Sequence, residues 1–219
     1  IGIEYSLSAE VRITRPDYLS DGRMYYDLLT ANYSEAKIQS MIANKSVRWI
    51  CNYMAAEGIM YKATLDQKCL DRCLYVFTET MTQWRSNKTL MSGTDDFFAT
   101  KHIAYTYRLL QELGKVEKGA YDDVVLSYAN SHFQSTFIVD HNQAQERALG
   151  FVLMQKVLPN APDVDKWKTY TDAVWNFWYD NLDVDEDATN YSAIHLNDIM
   201  MIAEETGKTD LLRRDEVKK

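Results

Sequence analysis

Apolar residues recur at three- and four-residue spacings almost without a break from Asp21 to the end of this 219-residue chain, and only 8 Gly and 3 Pro are available to interrupt them. That period is the stripe of an amphipathic helix. Sandwiches and barrels need a turn every few residues, so a chain this poor in turn formers is a bad candidate for either. No convincing strand alternation occurs between residues 21 and 219. Residues 1–20 lack the helical period, carry Pro16 and end at Asp21-Gly22. The expected organisation is an irregular segment over 1–20 and one helical domain over 21–219.

The stripes predict a succession of helices. Met24, Tyr25, Leu28 and Leu29 mark the first. Ser34 is the expected N-cap of a second, which runs to Gly58 with Ile38, Met41, Ile42, Trp49, Ile50 and Tyr53 on its stripe. A third starts at Thr64 or Asp66 and turns Leu70, Cys73, Leu74, Phe77 and Met81 inward. Further helices are expected over 97–113, 120–132 and 141–158, then from Asp163, over 190–206, and from Thr209 or Asp210. Gly114, Pro159 and Gly207 are natural stops. Short connections favour antiparallel neighbours, and no fixed-period repeat points to a solenoid. The expected fold is all-α, with antiparallel helical hairpins forming part of an (α/α)n toroid whose inner helix ends line a cleft. The last residues end on a helical pattern, so the remaining part of the same toroid is an expected partner.

Charge narrows the function. Lys plus Arg number 24 and Asp plus Glu 32, a net charge of −8, which argues against a dedicated nucleic-acid or anionic-membrane binder. No apolar run reaches the roughly 18 residues of a membrane span. Cys51, Cys69 and Cys73 have no His or Cys pair at zinc spacing, so buried thiols are expected and no metal or cofactor. The 15 Tyr and 5 Trp suit flat polar ligands such as sugars, although core packing is the favoured reading of such a surplus.

Two stretches carry chemistry. In Val139-Asp-His-Asn-Gln-Ala-Gln-Glu-Arg-Ala-Leu-Gly150, polar residues crowd the start of an otherwise apolar helix. Free backbone N–H groups and the dipole favour a bound carboxylate there, although Asp140 or Asn142 can equally be a plain N-cap. In Asp185-Glu-Asp-Ala-Thr-Asn-Tyr-Ser-Ala-Ile-His-Leu-Asn-Asp-Ile199, an acidic loop leads into a helix that places Tyr191, His195 and Asp198 on one face. Such a face suits proton transfer, or simply a hydrogen-bonded half-buried His.

Taken together, Asp140-His-Asn-Gln-Ala-Gln-Glu-Arg-Ala-Leu-Gly150 and Glu186-Asp-Ala-Thr-Asn-Tyr191, with His195 beyond, resemble the two motif helices of helical-toroid polysaccharide lyases of the heparinase and alginate-lyase type. The resemblance covers about residues 95–210. It implies β-elimination at a uronic acid, with an anionic polysaccharide as substrate and a secreted or periplasmic location. By the same resemblance Asn142 neutralises the uronate carboxylate, Tyr191 is the proton donor, and His141 or, second, His195 is the base. Gln143, Arg147, Asn190, Lys101 and His102 are implied as substrate contacts. The rival readings are a glycoside hydrolase on a similar toroid, using Asp95 or Asp96 with Asp185 or Asp187, and a non-catalytic glycan-binding scaffold.

Overall fold

The structure is a computed structural model and describes residues 17–92, 96–133, 137–139, 142–181 and 189–210, with the side chains of 17–22, 25, 96 and 189–193 excepted. Among the described residues every regular element is helical. The helices are α1 (Asp17–Thr30), α2 (Glu35–Ala43), α3 (Val47–Thr64), α4 (Gln67–Ser86), α5 (Thr100–Glu112), α6 (Asp122–Phe133), α7 (Asn142–Val157), α8 (Val164–Asn181) and α9 (Thr189–Thr206). Single 3₁₀ turns at Lys88–Met91 and Asp96–Ala99 precede α5.

Three local expectations need correction. First, α1 begins at Asp17, inside the segment expected to be irregular, and runs through Asp21-Gly22. Among its described side chains the buried one is Tyr26, whose hydroxyl donates to the buried Glu57 carboxylate at 2.7 Å, while Met24 and Leu28 face solvent. Second, the helix expected over 34–58 is two helices. Ser34 caps α2 as expected, accepting from the Lys37 amide, but Lys45 adopts a left-handed φ of 56° and turns the chain before α3. Trp49, expected on the inward stripe, is 58% exposed. Third, α3 does not stop at Gly58. A Cβ there would lie 2.8 Å from Leu109 Cδ2, so the glycine is a close approach between α3 and α5 rather than a terminator. The helix expected from Thr209 or Asp210 lies outside the described residues.

Polar contacts give the directions of the helices. Lys101 of α5 meets Glu146 of α7 and Asp198 of α9. Further along, Arg108 of α5 and Lys156 of α7 both meet Glu205 of α9. Helices that pair early with early and late with late run the same way, so α5, α7 and α9 form a parallel layer. α3 joins it, since Arg48 lies over Phe98 just ahead of α5 while Gly58 faces Leu109 near the end of α5. α8 runs back: its early Trp167 and Tyr170 meet Phe151 of α7, and its late Trp178 meets the early His195 of α9.

α7 sits between α5, α8 and α9, which explains why it is buried on nearly every side. Gly150 is what lets α5 in: a Cβ at that position would stand 2.8 Å from the Thr100 side chain. The core beside it is aromatic, with Trp84 stacked on Tyr128 at 5.5 Å and Phe151 on Trp167 at 6.1 Å.

Candidate functional site at the start of α7

The first two turns of α7 are polar and buried. Asn142, Gln145, Glu146 and Arg147 are 5%, 0%, 4% and 6% exposed. Burying four such side chains is costly unless each is partnered, so their partners define the site.

Glu146 and Asp198 share one cation. Lys101 Nζ lies 2.8 Å from the Glu146 carboxylate and 2.9 Å from Asp198 Oδ1. Burial, then the charge of Asp198, pushes the Glu146 pKa up against the pull of Lys101. Burial raises Asp198 as well. Burial works against the Lys101 charge, but the two carboxylates outweigh it and its pKa is raised. One ammonium cannot neutralise two buried carboxylates, so the cluster retains a proton towards neutral pH. His195 is buried on α9 one turn before Asp198, its ring 6.3 Å from that of Trp178.

The sign of the pH dependence follows. Glu146 and Asp198 hold protons more tightly folded than unfolded, so this stabilisation is fully present below the ordinary carboxylate range, about pH 4. It is lost as pH rises towards neutrality through the raised values of the folded protein. Thermal melting measured from pH 4.5 to 8 should therefore show a falling contribution that Glu146→Gln flattens; an unchanged slope in that variant would refute the shared-proton account.

Arg147 leaves α7 on another side. Its guanidinium lies 4.0 Å over the Phe97 ring and 5.2 Å from the Phe137 ring, and Nη1 donates to the His132 carbonyl at 3.3 Å. Phe97 and Phe98 lie with ring centroids 4.3 Å apart, and the Arg48 guanidinium covers Phe98 at 4.2 Å. Two guanidiniums thus flank one phenyl pair beside the start of α7. Burial, aided by Lys101 and Arg48, holds His102 down at about 3, and burial with Arg147 holds His132 at about 4. Both imidazoles are neutral at physiological pH. Neither side-chain polar atom of the buried Gln145 is hydrogen-bonded to a described residue.

Of the residues singled out by sequence, Asn142 and Arg147 are buried in the opening turns of α7, with Arg147 turned to Phe97 and Phe137, while Lys101 joins α5 to α7 and α9 and His195 is buried on α9 against Trp178. Gln143 and His102 are half-buried on α7 and α5. Tyr191 and Asn190 lie in the first turn of α9, but their side chains, like all of His141, lie outside the described residues. So do Asp95, Asp185, Asp187 and the side chain of Asp96. Sequence reasoning missed the partnership of Glu146 with Lys101, the role of Arg48, and the unmet amide of Gln145. The first left a trace, an acid four residues after Asn142 on a stripe otherwise apolar; Arg48 left none, being remote in sequence. Cys51, Cys69 and Cys73 are buried, and the described residues contain no cluster of three or more His, Cys, Asp or Glu that could hold a metal ion. No described helix is long and apolar enough to cross a membrane. No protein-family model, curated protein or solved structure matches the chain.

Proposed function

We propose that the chain belongs to a polysaccharide lyase that cleaves a uronate-containing polymer by β-elimination, and that its parallel layer is part of an (α/α)n toroid. The observation that carries the reading is the direction of α5, α7 and α9. Parallel helices turn their N-terminal ends to one side of the molecule, so Asn142, at the start of α7, and Tyr191, at the start of α9, belong to the same end. Pooled helix N-termini and the nearby Arg147 and Arg48 favour an anionic substrate there in a chain whose net charge is −8.

The C5 proton of a uronate becomes removable once its carboxylate is neutralised. The Asn142 carboxamide donates to that carboxylate as charge builds towards the enolate, an oxyanion-type stabilisation. A base, His141 or else His195, takes the C5 proton. The C4–O bond then breaks, its electrons leave with the glycosidic oxygen, Tyr191 protonates that oxygen, and a C4–C5 double bond remains. Arg147 has the fork geometry to hold a uronate carboxylate, with Gln143, Asn190, Lys101 and His102 as further contacts. Such polymers lie outside cells, which favours a secreted or periplasmic enzyme. No cofactor enters this chemistry.

The hydrolase reading draws on one observation, a carboxylate pair in which Glu146 is raised as a general acid would be. Both carboxylates are already tied to Lys101, which assigns them to holding α5, α7 and α9 together. An ultraviolet scan against alginate, glucuronan, pectate and glycosaminoglycans decides. The double bond gives new absorbance with one of these for a lyase. New reducing ends without that absorbance would establish hydrolysis, and neither would leave a glycan-binding scaffold.

A further inference from the structure

A second place in the molecule is built to meet a ligand. An open cavity of about 400 Å³ lies between the end of α1, α2 and the start of α3, lined among others by Asn32, Tyr33, Lys37, Ser46, Trp49 and Tyr53. It shares no lining residue with the cluster at α7. Of the 5 Trp in the chain, Trp84, Trp167, Trp175 and Trp178 are 0–5% exposed, whereas Trp49 is 58% exposed at this cavity. Exposing an indole forgoes the burial that the other four obtain.

The wall behind it is fixed in place. Tyr33 stacks on Tyr53 with ring centroids 5.3 Å apart and planes 19° from parallel. The Tyr53 hydroxyl donates to Glu57 at 2.9 Å, and Arg72 donates to the same carboxylate from Nε at 2.6 Å and Nη2 at 3.0 Å. The Arg72 guanidinium also lies 5.6 Å from the Tyr33 ring. An aromatic wall braced this way loses little freedom when a ligand arrives. Lys37 is the one Lys, Arg, Asp or Glu in the lining, and among the described residues its Nζ has no ion-pair partner.

We propose that this cavity is a carbohydrate subsite that seats one ring of an acidic glycan. A pyranose has an apolar C–H face and a rim of hydroxyls. The face matches the Trp49 indole, the rim matches the Asn32 amide and Ser46 hydroxyl, and a uronate carboxylate matches Lys37. Choosing an acidic sugar rests partly on the lyase reading and partly on Lys37 itself, a lone cation lining a cavity in an acidic chain.

The test uses the 219-residue chain made in a bacterial host, so that the Asn32-Tyr33-Ser34 sequon stays unmodified. Tetrasaccharides of mannuronate, guluronate, glucuronate and galacturonate, with cellotetraose as the neutral control, are titrated by calorimetry and by acrylamide quenching of tryptophan fluorescence. One acidic tetrasaccharide should shield tryptophan from acrylamide. Its affinity should fall at least tenfold in Trp49→Ala and in Lys37→Ala, with melting temperatures unchanged as befits exposed positions. The subsite is overturned if no tetrasaccharide shields tryptophan, or if calorimetric affinity survives Trp49→Ala. Equal binding of cellotetraose, undisturbed by Lys37→Ala, would overturn its acidic specificity. Shielding with no new ultraviolet absorbance from any polymer defeats the lyase reading alone, and elimination without shielding defeats the subsite alone.

Discussion

Asn142→Ala should lower turnover on the cleaved polymer by about 10²–10³-fold, on the order of 3 kcal/mol of transition-state stabilisation, with substrate binding little changed. In the proposed mechanism the carboxamide matters only as the enolate forms, so its loss should fall on turnover rather than on affinity. Tyr191→Phe keeps the ring and removes the hydroxyl, and a proton donor lost this way costs about 10²–10⁴-fold. A structural role reads differently. Asn142 is 5% exposed, so a packing function would appear as a lower melting temperature with turnover per folded molecule unchanged. Measuring turnover and melting on the same preparations separates the two, and near-normal turnover in Tyr191→Phe would remove Tyr191 from the mechanism.

The second large effect is on stability. Lys101 is the cation that Glu146 and Asp198 share. Lys101→Met leaves two buried carboxylates facing each other, and breaking a buried ion set by removing one member costs about 3–5 kcal/mol. For a chain of this size that corresponds to a drop of roughly 10 °C in melting temperature. The same physics predicts a rescue. Lys101→Met combined with Glu146→Gln and Asp198→Leu removes every charge at once and should recover most of the loss. A single variant that melts within about 2 °C of the parent protein would mean the cluster contributes little to holding α5, α7 and α9 together.

The helical period made the fold class readable, and the stops at Gly114 and Gly207 fall where the sequence puts them, at positive φ of 64° and 75°. The break at Lys45 was not readable, because a lysine at φ 56° carries no compositional sign. Gly58 misled for the opposite reason: its smallness serves a neighbouring helix, which no local pattern reveals. The misassigned stripe of α1 has a similar origin. Tyr26 turns inward because Glu57, 31 residues away, draws its hydroxyl. At the candidate site, Asn142, His195 and Asp198 were visible as polar residues on apolar stripes. That Lys101 would join Glu146 to Asp198 depends on two other helices whose residues lie 45 and 97 positions away, and only the tertiary arrangement supplies that information.

The two levels at which α5, α7 and α9 exchange charges also act as a vernier. Greasy contacts between neighbouring helices tolerate a slide of one turn, about 5.4 Å, with modest loss. Here such a slide would strand Lys101 from both carboxylates at one level and Glu205 from Arg108 and Lys156 at the other. Both sets must mate simultaneously, so only one axial setting of the three helices satisfies them. That setting fixes how far the opening turn of α7 stands from the opening turn of α9, an alignment any chemistry shared between those two turns requires.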